Sequence, residues 1–387
     1  MKREESGPRT NGALREAHDE IRETMPEYKR ILIVKASSLG DIVHALPTLV
    51  ALRNRFPKAH IAWLVKPDWA ELIEGHPDLD AAIRADFSLW SWPRLISTLR
   101  HERFDLVVDL QGLFRSGLLA RLSGAPERIG FAQGREGSPW FYTQGVWLPN
   151  PQGRPWRLIE MHAVDRNLAV AVHLGADVSH PQFRLGSSPG ADQAIEAVLA
   201  RAGVRADERL VAVAPVDRLR VRSWPLDRFV EVATVLAREP GLRVVLIGGP
   251  SERPYAEPFR QAVGERLIDL TGRTTLPDLV AVLRRASVLL GNDSAPIHIA
   301  AAVGTRVVAL FGPTSPLKTG PYGDGHVVLR KPLACSPCER STCANVNRYE
   351  CLTSIQVQEV VGTTKRLASQ APACGELSRT AARATCT

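Results

Sequence analysis

From Arg30 onward, short uninterrupted apolar runs alternate with amphipathic helical stretches, and the pattern is met twice. Ile31-Leu32-Ile33-Val34 is apolar at every position, which suits a strand buried on both faces. A turn over Ser37–Asp41 leads into a helical pattern from Ile42 to Arg55, with Val43, Leu46, Leu49, Val50 and Leu52 on one face. Strands are then expected at His60–Val65, Ala82–Ala85, Leu106–Asp109 and Arg128–Phe131, with helices at Arg94–His101 and Arg115–Leu122 between them. Ser138–Trp156, rich in Pro, Gly and Trp, breaks the rhythm before a helix at Leu158–Leu174. The second half repeats the grammar. Its strands fall at Leu210–Ala214, Arg243–Ile247, Leu267–Leu270, Val288–Leu290 and Val307–Phe311. Its helices fall at Leu226–Ala237, Arg253–Val263, Leu276–Arg285 and Pro296–Val303. Strand–helix–strand alternation implies parallel pairing with helical crossovers. The expectation is two parallel, doubly wound α/β domains facing each other, with ligands at the carboxyl ends of the strands.

Length agrees, since 387 residues suit two domains at about 100–200 residues each. Residues 1–29 read as a polar extension with room for a helix over Leu14–Met25. The domains are placed at 30–186 and 187–353, with Gly186–Gly190 as linker. A final helix over Ser354–Ala368 and a tail fill 354–387. Hydrophobic residues at 44% and charged residues at 23% exclude a largely disordered chain. The longest apolar runs fall far below the roughly 18 residues of a membrane span. The first residues mix both charge signs without an apolar segment, so no secretory signal is read and the cytoplasm is expected. Lys and Arg number 49 against 41 Asp and Glu, and the net +8 favours anionic partners.

Four segments carry candidate chemistry. Lys35-Ala-Ser-Ser-Leu-Gly-Asp41 follows a strand and opens a helix, where free N–H groups point outward. Asp41 there is either a helix cap or a general base, and the helix N-terminus argues against a high pKa. Leu290-Gly-Asn-Asp-Ser-Ala-Pro-Ile-His298 ends a strand in polar residues, with Ser294 placed to cap a helix and Pro296 in its first turn. Its orphan N–H groups suit a diphosphate, although an ordinary strand-to-helix turn and a structural His298 explain the same residues. Arg218-Leu-Arg-Val-Arg222 sets three arginines at alternate positions, which suits phosphate better than a solvated loop. In Gly248-Gly-Pro-Ser-Glu252 the glycines admit a ligand, and Glu252 either accepts from sugar hydroxyls or caps the next helix.

Absences narrow the choice. No G-x-G-x-x-G follows a strand, and Gly312-Pro-Thr-Ser-Pro-Leu-Lys-Thr319 only approximates a P-loop, so dehydrogenase and NTPase readings are weak. Aromatics at 6%, not interleaved with the basic residues, argue against nucleic acid. Cys335, Cys338, Cys343 and Cys351 fall in one short window. Four thiolates in C-x2-C-x4-C-x7-C could close a structural metal site, but only half of the spacing matches a zinc pattern. Plain thiols are the other reading, and no catalytic metal is expected.

Taken in order, these segments resemble the glycosyltransferase family of bacterial lipopolysaccharide heptosyltransferases. The matching pieces are Lys35–His44, Asp109-Leu-Gln-Gly-Leu-Phe-Arg115, Arg222-Ser-Trp-Pro225, Gly248–Glu252, Asp293-Ser-Ala-Pro-Ile-His298, Phe311-Gly-Pro-Thr314 and Gly320-Pro-Tyr-Gly323. The resemblance implies a GT-B fold, with the acceptor on the N-terminal domain and a nucleotide-sugar, usually ADP-heptose, on the C-terminal one. It implies inverting transfer to a lipopolysaccharide core hydroxyl without a cofactor or obligatory metal. It implies Asp41 as the base, and Arg222, Glu252, Asp293, Ser294, Ala295 and His298 on the donor. Arg115 and Arg135 would meet an anionic glycolipid acceptor, with peripheral contact at the cytoplasmic face of the inner membrane. Arg222 stands where the family has Lys, and Ala295 where it has Gly. Transfer of another sugar, or epimerisation of a sugar nucleotide, is the competing reading on the same fold.

Overall fold

The computed structural model describes residues 26–370 apart from 89, 150–159, 187 and 218–219. The helix expected over Leu14–Met25, Arg218 and the tail from 371 lie outside the described residues. The described residues divide into two compact units. The first is built from residues before 150 together with Ala163–Arg184, and the second from Glu160–His162 and the chain from Leu185 onward.

In the first unit, β1 (Arg30–Val34), β2 (His60–Val65), β3 (Ala81–Arg84), β4 (Leu106–Asp109), β5 (Glu127–Phe131) and β6 (Gln144–Val146) form one parallel sheet in the order 3-2-1-4-5-6. Ile31, Leu32, Ile33 and Val34 are fully buried, as a central strand covered on both faces demands. In register, Ile31 lies opposite Ile61 on one side and Leu106 on the other. Strand order reverses between β1 and β4, and such a switch point opens a crevice at the carboxyl ends.

The second unit repeats the order. Its strands β7 (Arg209–Ala214), β8 (Leu242–Leu246), β9 (Leu267–Asp269), β10 (Val288–Asn292), β11 (Arg306–Leu310) and β12 (Val327–Leu329) run 12-11-10-7-8-9. Its switch point lies between β7 and β10. The helix Val357–Gln370 packs here, with Val357, Val360, Leu367 and Ala368 in one core cluster with Val211, Trp224 and Phe229.

Several local expectations are corrected. The helix read over Ile42–Arg55 is two, Leu39–Val43 and Leu46–Arg55, because Pro47 cannot donate into a continuous helix and instead opens the second. The stretch read as a linker runs into a helix, Pro189–Arg201, started by Ser188, whose Oγ accepts from Ala191 N–H at 3.4 Å. Arg253–Val263 is helical only from Glu257, after a 3-10 turn over Pro250–Ala256 that contains Pro254. The edge strands β6 and β12 were not expected. Each has three residues and only one buried side chain, too little for a periodic signal.

Candidate active site

At the first switch point, the turn after β1 carries Lys35 to Asp41 and the turn after β4 carries Leu110 to Gly112. Asp109 ends β4 fully buried. Its carboxylate accepts from Ser116 Oγ and Tyr142 OH, both at 2.7 Å, and from the N–H groups of Gln111 and Gly112 at 2.9 and 3.1 Å. Burial pushes its pKa up, and the four donors pull against that rise. This carboxylate is structural. It bends the turn, helped by Gly112 at φ +66°, where other residues are strained.

The turn so fixed grips the other one. Gln111 Oε1 accepts from Ala36 N–H at 3.1 Å and Ser37 N–H at 3.3 Å. The Leu110 carbonyl accepts from Lys35 Nζ at 2.8 Å. Neither Gln111 nor Lys35 was assigned a role from sequence, although both lie inside quoted motifs.

Asp41 sits in the first turn of Leu39–Val43 with Ser38 as N-cap. Its Oδ2 accepts from Ser38 N–H at 3.0 Å and Ser38 Oγ at 2.9 Å. Oδ1 accepts no hydrogen bond among the described residues and stands 3.9 Å from Lys35 Nζ, with 39% of the Asp41 side chain exposed. Asp41 is therefore part of a cap with one oxygen to spare. Burial works to raise its pKa, but Lys35, the Ser38 donors and Arg166 outweigh it and hold the carboxyl below its ordinary value. Arg166, on the helix Ala163–His173, was missed by sequence reasoning. Its own burial lowers its pKa while Asp41 raises it, so the two charges sense each other.

Arg135 and Arg115 are both exposed. The Arg135 backbone N–H donates to Gly112 O at 3.0 Å, and its charge reaches both Lys35 and Arg166. Arg115 occupies the first turn of the helix Phe114–Leu122.

At the second switch point the organising residue is Asn292, fully buried at the end of β10. Its Nδ2 donates to Pro215 O at 2.8 Å, and its Oδ1 accepts Trp224 N–H at 2.9 Å. The turn after β7, which carries Arg222, is thus clamped to β10. Next along, Asp293 is 5% exposed, with Arg222 Nη1 3.8 Å from Oδ2 and His298 Nε2 3.9 Å from Oδ1. Burial pushes its pKa up to about 6; Thr314, Arg222 and Thr319 pull it down, and Asp217 adds to the rise.

Ser294 holds the N-cap position of Ala295–Ala302, but its hydroxyl makes no cap bond and reaches Asn292 O at 3.4 Å. Ala295 has no left-handed φ, so its methyl group costs the backbone nothing. Glu252 Oε2 accepts Gly249 N–H at 3.0 Å, which satisfies its capping role. Beside it, Pro215, Val216, Tyr255 and Thr271 line a shallow hollow at the ends of β7 to β9.

The four cysteines are free, Cys335 exposed and the other three part-buried. Among the described residues no three His, Cys, Asp or Glu side chains gather into a metal cage. Cys343 Sγ instead accepts Tyr349 N–H at 3.3 Å. The segment is tied to the preceding motif, since Ser336 Oγ donates to Gly312 O at 2.6 Å and Glu339 N–H to Pro313 O at 2.8 Å.

The family model described as glycosyltransferase family 9 (heptosyltransferase) matches residues 92–348. The chain belongs to this family. Family 9 membership makes it a glycosyltransferase, and the resemblance read from the motifs is upheld. Lipopolysaccharide heptosyltransferase 1 of Pseudomonas aeruginosa is 30% identical, over 81% of this chain and 87% of that protein. Among solved structures, E. coli ADP-heptose lps heptosyltransferase II aligns at TM-score 0.71 and 23% identity, covering 88% of this chain and 99% of that one. The E. coli heptosyltransferase WaaC with ADP aligns at TM-score 0.67 and 24% identity, covering 88% and 100%. The alignments run through both units and give this family 9 member the expected GT-B fold.

Proposed function

We propose that this family 9 chain is an inverting heptosyltransferase that moves heptose from ADP-heptose to a hydroxyl of a lipopolysaccharide core. One observation carries the reading: in a chain of this family, Asp41 is an ionised carboxylate with an unengaged oxygen at the first switch point. In the reaction the acceptor oxygen bonds to the anomeric carbon as the bond from that carbon to the diphosphate oxygen breaks. The electron pair leaves with ADP, and the hydroxyl proton passes to Asp41 Oδ1. A base held below its ordinary pKa acts late, as the new bond makes the hydroxyl acidic. The departing diphosphate needs fixed positive potential. Arg222 and the N-terminus of Ala295–Ala302 supply it, Asp293 and His298 shape that corner, and Glu252 with the neighbouring hollow receives the nucleoside.

Arg115 and Arg135 are open to an anionic glycolipid, which the enzyme meets as a peripheral protein at the cytoplasmic face of the inner membrane. No helix among the described residues is long and apolar enough to cross a membrane. The test is direct. Purified protein with ADP-heptose and a core acceptor lacking this sugar should release ADP and add one heptose to the acceptor mass. Transfer from a different nucleotide-sugar, with none from ADP-heptose, would replace the donor assignment.

A further inference from the structure

We infer that Lys35 is a positioning residue that keeps Asp41 ionised and leaves its Oδ1 free to take the proton, an inference that rests on Asp41 being the base. The Lys35 side chain is 4% exposed. Burying an ammonium is costly unless a counter-charge compensates it, and an apolar side chain would fill the same space at lower cost. The Leu110 carbonyl satisfies one donor at 2.8 Å but brings no charge.

The carboxylates whose charge reaches Lys35 are Asp41 and Asp109, and the cations facing it are Arg166 and Arg135. Asp109 also attracts Lys35, but less than Asp41 does, and its own oxygens already accept four hydrogen bonds. Asp41 is thus the counter-ion. At 3.9 Å from Oδ1, Lys35 Nζ acts by charge without occupying a lone pair there. Ser38 takes Oδ2, which fixes the plane of the carboxylate. The remaining oxygen of the ionised carboxyl accepts no hydrogen bond among the described residues.

The experiment compares Lys35→Met and Lys35→Gln with wild type, following kcat for heptosyl transfer from about pH 3 to 9. Gln can still donate to Leu110 O but carries no charge, so the pair separates charge from anchoring. Without the ammonium, burial raises the Asp41 pKa, and the acid limb of kcat should move up by about one pH unit or more in both variants. At pH 7 Asp41 stays ionised in all three proteins, so the loss of kcat should be confined to the acid limb, with the donor KM changed less than about 3-fold. Asp293 titrates alike in all three proteins and cancels in the rate ratios. Thermal stabilisation by ADP serves as the folding check. Variants that bind ADP yet keep the wild-type acid limb would overturn the inference. Asp41→Asn, run in parallel, separates the two claims: an inactive Asp41→Asn beside an unmoved Lys35 profile sinks only the role of Lys35. A fully active Asp41→Asn sinks the base itself.

Discussion

Arg222 Nη1 lies 3.8 Å from Asp293 Oδ2, close enough for charge attraction and too far for a hydrogen bond. The arginine is 37% exposed at its side chain while the aspartate is buried. In the proposed reaction a diphosphate competes with Asp293 for that guanidinium, and the outcome depends on whether Asp293 holds a proton.

Stability should report that proton. Asp293 has a folded pKa of about 6 against an ordinary 3.8, so its contribution is intact below about pH 4 and is lost as pH rises through 6. Above pH 7 the loss amounts to about 3 kcal/mol. Asp293→Asn escapes it, so its melting temperature relative to wild type should be higher at pH 8 than at pH 4. An equal difference at both values would contradict the raised pKa.

Donor affinity should follow the same titration. A neutral Asp293 no longer repels a diphosphate, so ADP should bind more tightly as pH falls from 8 towards 6. Calorimetry at several pH values checks this, with the gain expected to vanish in Asp293→Asn.

Asp41→Asn should keep its fold, because an amide oxygen still accepts from Ser38, and should keep ADP binding. Turnover should drop by about 10²–10⁴-fold, the usual loss when a general base is removed. Single-turnover transfer is the measurement.

Asn292→Leu leaves the Trp224 N–H and the Pro215 carbonyl without their partner. Two orphaned buried groups cost about 2–6 kcal/mol. Denaturant unfolding should show that loss, with ADP affinity falling as the turn bearing Arg222 loosens. Gln111→Ala, at the other switch point, should instead lower kcat and leave ADP affinity unchanged.

Thiol reactivity should separate Cys335 from Cys351. Cys335 is exposed, whereas burial first and the neighbouring Cys343, Cys338 and Cys335 next push the Cys351 thiol up. A chromogenic disulfide reagent should label Cys335 first. Elemental analysis of chelator-free protein decides between plain thiols and a metal: less than about a tenth of an equivalent of zinc or iron leaves them plain.

How far the molecule was legible in its sequence depended on where each signal lay. Central strands such as β1 and β10 declare themselves, since burial on both faces forces an unbroken apolar run. Edge strands β6 and β12 carry no such demand and passed unread. Asp41 and Asp293 stood out because each lies between a strand and the body of the helix that follows it. Arg166 did not, because its distance along the chain from Asp41 hides a proximity that only the fold creates. Asn292 was read merely as part of a polar turn; its two bonds across the switch point have no local signature.

Both sheets share one strand order, and every residue assigned a chemical role lies beyond a strand's carboxyl end or on the helix that follows. The twelve paired strands are thereby relieved of any part in choosing sugar or acceptor. Lineages of this chain can lengthen, shorten or recharge a turn and acquire a new substrate while inheriting the framework intact. Variation should therefore accumulate in the turns of one rim in each unit, and the opposite rim should record only the demands of folding.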